Sequence, residues 1–149
     1  MVYSWGAGAS GQLGDGGNGN RNTPYLVTGL AAASAIAAGG DHTLAVLSPV
    51  SGSVIKAWGK NSNGQLGVGT AYPSQTTPIS VNLISGGASA AAGFNYSLAV
   101  KWDGTAYGWG YNGNYGIGDN TNTQRLEPVA IYNNFSGVAT VAAGQYNSF

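Results

Sequence analysis

The sequence contains no cysteine and very little charge. Without cysteine there is no disulfide framework and no thiolate chemistry. Only 7% of the residues are charged, against about 25% in an ordinary soluble domain. Five Lys and Arg balance five Asp and Glu. Such a chain has no basic footprint for a nucleic-acid backbone and no polybasic patch for an anionic membrane. Its most apolar run, residues 30–38, is short and mostly Ala, so no membrane-spanning helix is expected. The N-terminus shows no charged segment leading into an apolar one, which fits a cytoplasmic protein, one whose leader has been removed, or a piece of something longer. The length of 149 residues suits one domain. Hydrophobic residues make up 43%, enough for a packed core. Glycine is abundant, at 26 residues.

That glycine is distributed periodically. Trp-Gly occurs at Trp5-Gly6, Trp58-Gly59 and Trp109-Gly110. A glycine-rich stretch follows each pair without gaps, ending in Gly11-Gln12-Leu13-Gly14, Gly64-Gln65-Leu66-Gly67 and Tyr115-Gly116-Ile117-Gly118. Next come Thr23-Pro24, Thr77-Pro78 and Glu127-Pro128. Ala-Ala-Gly then ends at Gly39, Gly93 and Gly144, and His42, Tyr96 and Asn147 fall at matching positions after it. Four landmarks in constant order define a repeat of about fifty residues.

Each period holds short β-type runs divided by turn residues. Residues 54–58 and 105–109 precede the glycine-rich turn, and 78–84 and 128–132 follow it. Residues 88–92 and 138–143 come next, then 96–100. Asp103-Gly104 signals a hairpin into the following Trp strand. No segment sustains a capped 3.6-residue apolar pattern, so no helix is expected. Four short strands per period indicate β-propeller blades, giving an all-β fold. The Ala-Ala-Gly strand suits the narrow inner position, and the Trp suits the wider gap between blades. Repeat units of about 1–36, 37–90 and 91–141, with 142–149 starting another, form a single propeller segment. About three blades are supplied, with incomplete blades at both termini, so completion by other polypeptide is expected.

The Trp-Gly, Gly-Gln-Leu-Gly and Ala-Ala-Gly-x-x-His-Thr-Leu landmarks resemble the repeat of the regulator of chromosome condensation family. The third repeat departs from it at Tyr115, Gly116 and Asn147. The resemblance implies a β-propeller, and it implies that His42 satisfies hydrogen bonds between strands. The founding member's guanine-nucleotide exchange activity is not expected to transfer with the fold alone, since this chain lacks a charged, shaped face.

No catalytic constellation emerges. Gly6-x-Gly8-x-x-Gly11 matches a dinucleotide fingerprint, but Gln-Leu-Gly follows where that motif needs a helix. Asp15, Asp41, Asp103, Asp119 and Glu127 are scattered. The Asn-rich loops after Asp15 and Asp119 lack the second carboxylate of a calcium site. No metal or other cofactor is therefore expected. The most binding-like residues are Tyr111, Asn112, Asn114 and Tyr115, since Tyr, Asn and Gly make adaptable contact surface. Asn95 and Asn134 head glycosylation sequons. The expected function is a non-enzymatic scaffold that associates with further repeats or copies of itself, as a homo-oligomer or a surface or extracellular fibre. The alternatives are a glycan-binding or inhibitor-like propeller and an exchange-factor-like propeller.

Overall fold

The computed structural model describes residues 1–30, 32–48, 54–71 and 74–149, apart from the Asn134 side chain. Among the described residues, ten strands build three antiparallel sheets. The first sheet pairs β1 (Tyr3–Gly6) with β2 (Arg21–Leu26). The second runs in order through β3 (Ala33–Ala38), β4 (His42–Leu47), β5 (Val54–Lys60) and β6 (Ser74–Ser85). The third runs through β7 (Gly87–Ala92), β8 (Tyr96–Lys101), β9 (Ala106–Gly110) and β10 (Arg125–Ala130). Among the described residues the only helical element is a single 3-10 turn at Tyr132–Asn134. The fold is thus all-β, with four-stranded propeller blades. At the C-terminus, Ala142 and Phe149 exchange two backbone hydrogen bonds of 2.9 Å, beginning one more hairpin.

The three Trp strands share one irregularity. Trp5, Trp58 and Trp109 each face a bulge in the next strand, formed by residues 22–24, 76–78 and 126–128. Each bulge ends in proline, at Pro24, Pro78 or Pro128. Proline has no N–H to give a ladder, so it is tolerated on an edge strand or in a bulge. Here it occupies both, because β2, β6 and β10 are the outer edges of their sheets. These strands therefore begin before the proline, whereas the expectation started them at it. The expected strand at 138–143 is reduced to a bridge between Ala143 and Ser148. Its hairpin pairing runs to residues 147–149, whereas β7 pairs along the six residues of β8.

One apolar cluster fills each gap between sheets. Val27, Leu30, Ala45, Leu47 and Trp58 lie between the first and second sheets. Leu44, Ile55, Leu66, Val81, Ile84, Ala99 and Trp109 form the main core between the second and third. Ala91, Tyr96 and Leu98 pack with Ile131, Val141 and Ala143 beneath the C-terminal hairpin. This last cluster has no tryptophan.

Candidate functional site

The joints between blades are made by a repeated set of hydrogen bonds. The turn after each Trp strand aims one backbone carbonyl at the next blade. Gln12's carbonyl accepts from Thr43 Oγ1 at 3.1 Å and from Trp58 Nε1 at 2.9 Å. Gln65's carbonyl accepts from Ser97 Oγ at 2.8 Å and from Trp109 Nε1 at 2.9 Å. A buried indole N–H needs such an acceptor, and the carbonyl has two lone pairs to offer. Both indoles are nearly or fully buried, Trp58 at 1% and Trp109 at 0% exposure. Glycine makes room for them. A Cβ on Gly14 would lie 2.6 Å from Trp58 Nε1, and one on Gly67 would lie 2.8 Å from Trp109 Nε1.

The third joint is half made. Gly116's carbonyl accepts from Ser148 Oγ at 2.5 Å, and no indole reaches it among the described residues. At the other end, Trp5 is 61% exposed. The chain therefore carries two closed seams and the two unlike halves of a third.

His42 reinforces the central seam. Its Nε2 lies 2.9 Å from Ser97 Oγ. Ser97 gives its own proton to Gln65's carbonyl, so it accepts from His42 Nε2–H. This places a proton on Nε2. His42 Nδ1 is buried without a partner. Burial lowers the His42 pKa from 6.5 to about 4, although the Asp41 charge opposes the change. Tyr96 takes the equivalent place one blade on, donating to the Asn147 carbonyl at 2.7 Å, with Ser148 Oγ 3.2 Å from its hydroxyl.

The loop at 111–115 divides by exposure. Asn112 is wholly buried. Its Oδ1 accepts from Ile117 N at 3.0 Å, and its Nδ2 donates to Asp119 Oδ1 and the Thr121 carbonyl. That amide holds the turn and presents nothing to solvent. Asn61 does the same work one blade earlier, accepting from Leu66 N at 3.0 Å and donating to the Thr70 carbonyl. Tyr111 is half-buried with its hydroxyl over Gly113, and Asn114 is exposed. Tyr115 is 65% exposed and holds a left-handed φ of 62° where Gly64 has 76°. Asn95 lies between β7 and β8 with its Oδ1 3.5 Å from Gln65 Nε2. The Asn134 side chain lies outside the described residues.

Two acids have internal partners that the sequence reading missed. Arg21 Nε binds Asp15 Oδ2 at 2.6 Å, and Arg125 binds Asp119 Oδ2 at 2.7 Å. Arg21, with the Gly17 N–H, holds the Asp15 pKa below the ordinary carboxylate value against the effect of burial. Burial would raise Asp119, but the Thr121 hydroxyl and Arg125 keep it lowered. The signal was present: Arg follows Asp at the same spacing in the first and third repeats. Gly6 ends β1, and Gly8 and Gly11 lie in the turn after it, where Gly11 N donates to the Gly8 carbonyl at 2.8 Å. Among the described residues no group of three or more potential metal ligands converges.

Comparison with known proteins places this geometry. The Arabidopsis thaliana ultraviolet-B receptor UVR8 is 41% identical over 136 residues, covering 87% of this chain and 30% of the receptor. The probable E3 ubiquitin-protein ligase HERC6 of Homo sapiens is 38% identical over 138 residues, covering 87% of this chain and 13% of the ligase. The crystal structure of Saccharomyces cerevisiae Prp20p superimposes with a TM-score of 0.80 at 24% identity, covering 98% of this chain and 38% of that one. That likeness shows the fold. The chain thus spans less than half the length of each of these relatives. The model of the regulator of chromosome condensation (RCC1) repeat matches residues 1–46, 57–100 and 103–149. By that match, which takes in nearly the whole chain, this protein belongs to the RCC1 repeat family.

Proposed function

We propose that this chain is a non-enzymatic scaffold whose partner is another RCC1-type repeat, supplied by further polypeptide or by a second copy. One observation carries the reading. The seam that joins blades is closed twice and then left as two separated halves, an indole without its carbonyl and a carbonyl without its indole. An RCC1-repeat propeller serves as an interaction module in such a reading; this chain spans 30% of the receptor and 13% of the ligase it resembles, and their activities are not carried over with the fold. Protein recognition by this fold has a parallel, since the Prp20p structure is described together with its binding of Gsp1p and histones.

The test is a tandem of two copies joined through a copy of the hairpin sequence 99–104. That linker restores the spacing found between β8 and β9. A repeat that fills the open face adds a nearest-neighbour interface, so the tandem should unfold at a higher temperature than the dilute single chain. Equal midpoints would argue against the reading.

A further inference from the structure

We propose that the missing half of the seam is supplied in trans. Trp5 of one copy enters the slot beside Gly118 of a second, and its indole donates to that copy's Gly116 carbonyl. The inference rests on the scaffold reading above and names its partner. Three independent features of the two end faces match.

The first is the slot. Gly118 corresponds to Gly14 and Gly67, which are pressed against Trp58 and Trp109. A Cβ on Gly118 would meet nothing closer than Ile131 Cγ2 at 3.5 Å. The space is a cavity of about 690 Å³ lined in part by Ile117, Gly118, Ile131, Phe135 and Val141. Its walls are largely apolar, and its floor is the cluster that has no tryptophan. The second is the strand beside Trp5. A Cβ on Gly59 would lie 2.4 Å from the Asp41 carbonyl, and one on Gly110 2.7 Å from the Asn95 carbonyl. Gly6, with the same left-handed φ, meets nothing within 4 Å. The flank of β1 where its neighbour belongs is open.

The third is strand content. The N-terminal sheet holds the outer pair of a blade, and the C-terminal hairpin begins the inner pair. Within the chain, Thr43 pairs with Trp58 and Ser97 with Trp109. The same register sets Ser148 of one copy opposite Trp5 of the next. The new joint continues the interface already made twice inside the chain. It is heterologous, so it builds either a closed ring of copies or an open series.

The experiment is sedimentation of the 149-residue chain across a concentration series. The chain should associate. Trp5→Ala removes the plug and Gly118→Ala obstructs the slot, so each should weaken association at least about thirtyfold. Trp5→Phe keeps an aromatic ring without the N–H and should fall between wild type and Trp5→Ala, which guards against a misfolded variant. Mixed together, Trp5→Ala and Gly118→Ala each retain the half the other lacks, so they should form a single 1:1 heterodimer. A wild-type chain that stays monomeric up to about millimolar concentration overturns the proposal. So does association that survives both substitutions. If the tandem is stabilised while the free chain is monomeric, the scaffold reading stands and only self-association falls.

Discussion

Replacing tryptophan by phenylalanine at three equivalent positions should have three unequal effects. At Trp109 the change removes the donor to Gln65's carbonyl at 2.9 Å and part of a ring packed in the main core. The lost hydrogen bond costs about 1 kcal/mol. The lost contacts and the residual void add about 1–2 kcal/mol. Gln65's carbonyl keeps its bond from Ser97, so no buried acceptor is stranded. The sum is about 2–3 kcal/mol, equivalent to roughly 5–10 °C in a domain of this size. Trp58 makes the matching bond to Gln12 and should behave similarly, with a smaller effect because its cluster is smaller. Trp5 is 61% exposed, so Trp5→Phe should change the monomer by less than about 0.5 kcal/mol. Urea unfolding at a concentration well below association would measure all three. Equal losses at Trp5 and Trp109 would refute the reasoning, because they would mean that the identity of the repeat position, not its seam, sets the energy.

Acidification should weaken the fold through His42 before the carboxylates contribute. Its folded pKa of about 4 lies below the unfolded 6.5, so stability is full above 6.5 and declines as pH falls from there. The loss reaches about 3 kcal/mol below pH 4; wild type compared with His42→Gln by urea unfolding at pH 7 and pH 4.5 isolates it. Asp15 and Asp119 have lowered folded pKa values, so their contribution persists above 3.8 and disappears at lower pH. Gly67→Ala should cost about 3 kcal/mol or more, since its Cβ would lie 2.8 Å from Trp109 Nε1 in addition to the left-handed strain. Gly16→Ala has open space around it and should cost only about 1–2 kcal/mol in thermal unfolding. Asn112→Ala strands the buried Ile117 N–H and should cost about 2–4 kcal/mol, whereas the exposed Asn114→Ala should be silent in the same assay.

The blade architecture was legible because its landmarks mark mechanical necessities. Tryptophan fills the seam, glycine admits it, and small residues form the Ala strand. Those constraints recur with the period and survive in one sequence without any other. Strand ends were less legible. Pro78 and Pro128 look like strand beginnings, yet they end bulges inside β6 and β10, and only the pairing opposite Trp58 and Trp109 reveals this. The acceptor role of Gln12 and Gln65 was not legible at all. It belongs to the backbone carbonyl, so side-chain identity does not report it, and Gly116 performs it as well. Asn112 was misleading for a related reason. Residue type suggested surface contact, while its recurrence with Asn61 was the sign of an internal brace.

Indole N–H exchange by nuclear magnetic resonance tests the central claim most directly. The N–H groups of Trp58 and Trp109 should exchange slowly at every concentration. That of Trp5 should exchange fast in dilute solution and become protected as the chain is concentrated, with Gly118→Ala abolishing the change. A Trp5 indole that stays unprotected at all concentrations, or a Trp58 or Trp109 indole that exchanges freely, would contradict the account.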